Sequence, residues 1–271
     1  MKCLIIGEKS IVAGFFKNAL IDNFDVTFSS RKKNSLNYLD LLDLNSIKNF
    51  NFSKYDLVIN CAFSYNYESS DAFIVNYNHL KNLIEKLNLS NTKLIYISSD
   101  QVKYKLKHHH KYDFISYYSK LKNSAESLIR KLSINYLILR IGKIVGKDFV
   151  LFNLKKNKIS NIYLDYYLFP ISKEFFYKYI SLFFKKFKFS NKNITVNFFS
   201  YNPKSYFYFY KLISKYSLNL NNINYVKYFK DELIINIDKS DFHICDIIEQ
   251  DLDTFHQDVE NFFIKYYERE F

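Results

Sequence analysis

Short apolar runs alternate with segments of helical period along the first half of the chain. Cys3–Ile6, Asp25–Ser29, Leu57–Asn60, Leu94–Ser98 and Tyr136–Ile141 are mostly continuous apolar runs, the pattern of strands buried on both faces of a parallel sheet. Between them, Ile11, Phe15, Ala19 and Leu20 share one helical face. So do Leu80, Leu83, Ile84 and Leu87, and again Ala125, Leu128, Ile129 and Leu132. Repeated β-α-β units of this kind predict an α/β fold, a doubly wound parallel sheet with helices on both sides. Ligands of such sheets bind beyond the carboxyl ends of the strands.

The pattern loosens near residue 150. Ile162–Leu164 and Ile194–Phe199 read as strands, and Glu174–Phe187, Tyr206–Tyr216 and Phe255–Tyr267 as helices. The expected organisation is a cofactor-type domain over residues 1–150 and a smaller substrate lobe over 151–271, with one strand returning to the main sheet. No internal repeat and no Pro/Gly/Ser-rich linker marks the boundary.

Composition narrows the class. Hydrophobic residues form 48% of the 271, enough for a substantial core. No apolar stretch approaches a membrane span, and the run before Gly7 is too short for a secretory signal. Cys3, Cys61 and Cys245 are odd in number and lack metal-like spacing, so reduced thiols in a cytoplasmic protein are expected. The net charge of +12 accompanies scattered lysines. No face gathers them as a nucleic-acid reader would require, although a phosphorylated small molecule would be attracted. His108-His109-His110 reads as a solvated loop rather than a metal site. Cys61 reads as a small core residue, and the aromatic run Tyr206–Tyr210 as a buried helix face.

Two loops carry candidate cofactor chemistry. The first strand runs into Gly7-Glu8-Lys9-Ser10-Ile11-Val12-Ala13-Gly14 and then a helix, where a dinucleotide phosphate would meet a helix N-terminus. A glycine-rich loop would place glycines at 7, 10 and 13. Gly7 can make the turn and Ala13 is small, but Ser10 puts a side chain where backbone should approach pyrophosphate. It either donates its hydroxyl to the phosphate or weakens binding. The second strand ends in Ser29-Ser30-Arg31-Lys32-Lys33. A basic residue there suits a 2′-phosphate and hence NADP, with NAD the alternative; a merely solvated charged loop would look the same.

Tyr118 and Lys122 lie four apart at the start of a predicted helix and so share a face. A nearby ammonium would lower the phenol towards working pH, making it a proton donor to a carbinol oxygen. Ser99, at the end of the fourth strand, can hydrogen-bond the same oxygen. With 25 tyrosines, the spacing alone is weak. The joint order is stronger: the loop at 7–14, Asp40, Asn60-Cys61-Ala62, Asn76, Ser98-Ser99-Asp100, Tyr118/Lys122, and Leu139-Arg140-Ile141-Gly142.

In that order the chain resembles the extended short-chain dehydrogenase/reductase family, the NAD-dependent epimerases and dehydratases, and within it most the dTDP-4-dehydrorhamnose reductase group. The resemblance covers residues 1–150 well and the rest faintly. It implies a Rossmann-type domain and a catalytic set of Ser99, Tyr118 and Lys122. It further implies cofactor contacts from Gly7, Ser10, Ile11, Arg31, Asp40, Leu41, Asn60, Ala62, Asn76 and Lys122, with no metal. Leu168–Ser172 looks like the segment that returns to the sheet in that family.

The dehydratases of the family carry Thr-Asp-Glu where this chain has Ser99-Asp100-Gln101, and Gln101 cannot accept a proton as a carboxylate does. The resemblance therefore implies NADPH-dependent reduction of a nucleotide-linked keto-deoxy sugar in surface-polysaccharide precursor synthesis, with a homodimer as the family's common habit. An epimerase of the family remains an alternative. Ser10 and Ala13 in the loop, and Lys103-Tyr104 after Val102, depart from the pattern. They leave room for a degenerate relative that only binds a sugar nucleotide or a partner.

Overall fold

The computed structural model describes residues 1–66, 70–108, 111–114, 116–145, 161–164, 166–187, 193–205, 207–208, 224–226, 232–235 and 241–270. The first four strands are β1 (Lys2–Ile6), β2 (Asp25–Phe28), β3 (Leu57–Asn60) and β4 (Lys93–Ser99). An antiparallel hairpin of β5 (Tyr104–His108) and β6 (Lys111–Phe114) follows, then β7 (Tyr136–Ile141) and β8 (Lys143–Val145). The later strands are β9 (Asn161–Tyr163), β10 (Tyr167–Leu168), β11 (Pro170–Ser172), β12 (Ile194–Phe198), β13 (Lys204–Ser205), β14 (Asn224–Val226), β15 (Glu232–Ile235) and β16 (Phe242–His243).

Seven strands form one parallel sheet in the order β16-β12-β7-β4-β3-β1-β2. Beyond β2, among the described residues, Ser30 and Tyr38 form a single parallel bridge. Strand order reverses between β1 and β3, so the ligand crevice expected of this topology opens above Ile6 and Asn60. The apolar runs predicted as strands are strands, because a parallel sheet covered on both faces needs no polar alternation.

The helices are α1 (Ile11–Leu20), α2 (Leu44–Asn49), α3 (Asp71–Phe73), α4 (His79–Leu89), α5 (Tyr117–Leu132), α6 (Lys173–Lys186), α7 (Ile244–Ile248) and α8 (Leu252–Glu270). A π-helical turn, Ile74–Asn78, joins α3 to α4. On one face of the sheet, α1, α6, α7 and α8 bury Phe16, Phe175, Phe176, Phe183 and Phe255 against Ile5, Ile59 and Leu139. On the other, α2, α4 and α5 bury Ile47, Leu83, Ile84 and Ile129 against Leu4, Val58 and Ile138. The aromatic core on the first face is built edge to face, as between Phe16 and Phe176, whose centroids are 5.5 Å apart at 85°.

The second half differs from its sequence expectation in three ways. Two strands, β12 and β16, return to the main sheet rather than one. Leu168–Ser172 does not join that sheet: β11 pairs with β8, and β10 with β13. The last helix starts at Leu252 and runs to Glu270, longer at both ends than its apolar pattern, because Asp251 caps the Thr254 amide ahead of the first buried residue. The helix expected at Tyr206–Tyr216 and the aromatic run within it lie largely outside the described residues, as do His109 and His110. Among the described residues no helix is long and apolar enough to cross a membrane, and no cluster of metal-ligating side chains occurs.

Candidate active site

Gly7 sits at the switch point with φ +100, and a Cβ there would lie 2.8 Å from the Ala62 amide nitrogen. Both the turn and the close approach of β1 to β3 therefore require glycine. Gly14 meets nothing within 4 Å of such a Cβ. Ser10 is the N-cap of α1, but its hydroxyl makes no capping hydrogen bond, and no acidic residue lies in the first turn. The first amides of α1 therefore have no capping side chain, next to the exposed Ile11, a donor set that fits a phosphate.

Arg31 is exposed just past β2. Asp40 turns back on its own chain, accepting the Leu42 amide at 3.0 Å. Leu41 is buried, and its carbonyl oxygen lies 2.6 Å from His79 Nδ1. Asn60 accepts the Ala62 amide at 3.0 Å. Asn76 grips Ser64 twice, accepting its amide at 3.3 Å and donating to its carbonyl at 3.0 Å. These two asparagines fix the stretch after β3, Ala62–Asn66.

That stretch carries two aromatic residues whose part in the site was not legible in the sequence. Phe63 packs edge-on against Tyr118 at 4.9 Å between centroids. Tyr65, 66% exposed, lies parallel to the Tyr118 ring at 5.8 Å and 11°. Tyr118 is held by the start of α5, where Ser116 and Ser119 form a reciprocal capping box. The helix then places Lys122 one turn on, buried, with its ammonium donating to the Ile97 carbonyl at 2.6 Å. The Lys122 ammonium also lies over the rings of Phe63 (4.5 Å), Tyr96 (4.8 Å) and Tyr118 (6.0 Å).

The electrostatics revise one expectation. Burial pushes the Tyr118 phenol well above its ordinary range, Tyr65 adds to this, and hydrogen bonding with Ser99 opposes it. Lys122 is not what governs the phenol. Its own value is driven down to about 7 by burial, with Cys61 and Glu126 opposing. For both groups the cost of desolvating the charge outweighs the attraction between them. Cys61 is buried and its thiol is pushed far up by desolvation, which suits a core residue and not a nucleophile.

Ser99 ends β4 and caps a short 3₁₀ turn, Asp100–Lys103. Its hydroxyl accepts the Gln101 amide at 3.2 Å and donates to Asp100 Oδ1 at 2.9 Å. The other oxygen of Asp100 accepts from the Tyr104 hydroxyl at 2.8 Å. Deeper lies an ionic cluster. Glu126, wholly buried, accepts from Ser98 (2.7 Å), from Arg130 (2.7 Å) and twice from Arg140 (2.9 and 2.7 Å). Arg140 also pairs with Asp241, which Lys103 meets at 2.8 Å. The unusual Lys103-Tyr104 pair thus has structural partners for both residues.

A separate cavity of about 380 Å³ opens beside α2, lined by Tyr38, Asp43, Asn45, Asn49 and Tyr55 among others, and it includes none of Ser99, Tyr118 or Lys122.

Residues 1–162 match the family model described as the RmlD substrate binding domain. The chain belongs to this family. Compared by sequence, it finds no match among curated proteins. Among solved structures, a dTDP-4-dehydrorhamnose reductase from Clostridium acetobutylicum superposes with a TM-score of 0.67 at 18% identity, over 97% of this chain and 99% of that one. The Bacillus anthracis dTDP-4-dehydrorhamnose reductase, solved in complex with NADP, gives 0.64 at 19% identity over 84% and 85%. A UDP-N-acetylglucosamine 4-epimerase from Methanobrevibacter ruminantium gives 0.66 at 16% over 100% and 99%. The Rossmann-type architecture of the family is therefore the architecture of this chain.

Proposed function

We propose that this chain is an NADPH-dependent reductase of a nucleotide-linked keto-deoxy sugar, acting in the cytoplasm in the supply of surface-polysaccharide precursors. The observation that carries the reading is the position of Tyr118. It meets Phe63 just past the end of β3 and Ser99 at the end of β4, with Lys122 one helical turn behind it. In this reading the α1 amides and Ser10 hold pyrophosphate, and Arg31 holds a 2′-phosphate. Asp40 and Leu41 line the adenine side, and Lys122 holds the nicotinamide ribose. NADPH, when bound, supplies the hydride. Tyr118 delivers its proton to the oxygen of the reduced carbonyl, and Ser99 positions that oxygen. The residues up to about 150 serve the cofactor, and those beyond select the sugar. The NADP of the Bacillus anthracis relative supports the cofactor choice. The absence of a carboxylate at Gln101 supports reduction over dehydration.

The test is calorimetric binding of NADPH followed by turnover of nucleotide-linked 4-keto-6-deoxyhexoses. One NADPH consumed per sugar is expected. Interconversion of sugars with no net NADPH consumption would make the protein an epimerase. Absence of NADPH binding would make it a non-catalytic sugar-nucleotide or partner binder.

A further inference from the structure

A serine hydroxyl has one proton, and an ionised carboxylate can only accept hydrogen bonds. At Ser99 that arithmetic is restrictive. The Ser99 proton is committed to Asp100 Oδ1 at 2.9 Å, and its oxygen already accepts the Gln101 amide. While Asp100 is ionised, Ser99 therefore has no proton for a substrate oxygen. A protonated Asp100 reverses this: it can donate to Ser99, whose own proton is then released towards the cleft.

We infer that Asp100 is a positioning residue whose protonation state decides whether the Ser99 hydroxyl donates to the substrate carbonyl or back to Asp100, so that the protonated form is the reductive one. This rests on the proposed reductase reading. Asp100 is buried at 3% exposure. The groups around it are the Tyr104 hydroxyl from β5, the Phe169 amide before β11, and Tyr118 from α5, with Tyr166 behind Tyr104. The neighbouring cations are turned away: Lys103 meets Asp241 and Lys122 meets the Ile97 carbonyl. Desolvation raises Asp100 to about 6, against the hydrogen bonds from Tyr104, Ser99 and the amides. The switch therefore lies inside the working range of an enzyme.

Two measurements test it. The first is kcat/KM against pH. Wild-type activity should fall about tenfold per pH unit above the Asp100 midpoint, as for loss of one essential proton. Asp100→Asn should remove that alkaline limb, because an amide NH₂ donates to Ser99 permanently. Tyr104→Phe deletes a donor to the carboxylate and should move the limb to higher pH. The second is carboxyl titration of the cofactor-free protein by difference infrared spectroscopy. A band titrating near pH 6 should vanish in Asp100→Asn and shift upward in Tyr104→Phe and Ser99→Ala.

A limb unchanged in Asp100→Asn, or a carboxyl band that does not respond to Ser99→Ala, would overturn the inference. Those results would leave the reductase reading intact wherever wild type consumes NADPH and Tyr118→Phe does not. A wild type that consumes no NADPH would instead overturn the reductase reading. The infrared shift in Ser99→Ala would then alone decide whether Asp100 and Ser99 are coupled.

Discussion

The Lys122 ammonium donates to the Ile97 carbonyl oxygen at 2.6 Å, so the middle of β4 holds the lysine at the depth of the sheet. Around it are aromatic rings and, among the described residues, no paired carboxylate, since the carboxylate of Glu126, one turn further along α5, is taken by Ser98, Arg130 and Arg140. Burial lowers Lys122 from 10.5 to about 7. The folded protein thus binds fewer protons than the unfolded chain between pH 7 and 10.5, and stability rises with pH through that window. Below it the full penalty applies. Lys122→Met should raise stability at pH 7 by an amount on the order of a few kcal/mol and flatten the dependence of Tm on pH between 7 and 10. It should also abolish turnover. A Tm profile identical to wild type would mean that the lysine is not buried as described.

Tyr118→Phe should keep the stacked ring beside Tyr65 and Phe63 and lose only the proton. A fall in kcat of about 10²–10⁴-fold is expected, with NADPH affinity unchanged by calorimetry. Reduction at wild-type rate would remove Tyr118 from the proton path.

Arg31→Ser tests the cofactor choice. Its guanidinium is exposed, so the contact with a 2′-phosphate would be partly screened. A loss of about tenfold in NADPH affinity is expected, with NADH affinity unchanged. Equal losses for both cofactors would place the residue elsewhere on the dinucleotide.

Glu126 anchors the ionic cluster beneath Ser99. Its carboxyl is held below the ordinary range, against burial, by hydrogen bonding and charge from Arg140, by Ser98 and by Arg130. That contribution to stability is fully present above the unfolded carboxylate value. It is lost as pH falls through the depressed folded value. Glu126→Ala strands Arg140 in the interior and should cost about 3–5 kcal/mol in denaturant unfolding, with the acid limb of the stability profile reduced. A neutral substitution would show that the cluster is dispensable.

Much of this molecule could be read from the chain because parallel sheets write themselves as apolar runs. β1, β3, β4 and β7 are each buried on both faces, and each was found within a residue or so. The proximity of Ser99, Tyr118 and Lys122 was legible, because helix spacing and strand ends fix where such side chains point. Phe63 and Tyr65 were not, because nothing in a loop sequence says which ring will fold over a neighbouring helix. Asp241 was invisible for a related reason: its meaning comes from Arg140, 101 residues earlier, and no local pattern links the two. β16 was missed because a two-residue strand has no period to detect. Lys122 does not lower the Tyr118 phenol as the spacing predicts, because spacing gives proximity but says nothing of desolvation.

The sixth and seventh strands of the sheet come from residues 194–198 and 242–243, far beyond the segment that matches the family model. A fragment ending at residue 162 would leave β7 as an open margin, presenting Leu137-Ile138-Leu139 with unpaired backbone on one side and Arg140 without Asp241. Such a margin is a template for a strand from another copy. Shortened versions of this protein should therefore precipitate rather than behave as an isolated dinucleotide module, and the chain from residue 194 onward acts as the seal on the sheet's growing edge.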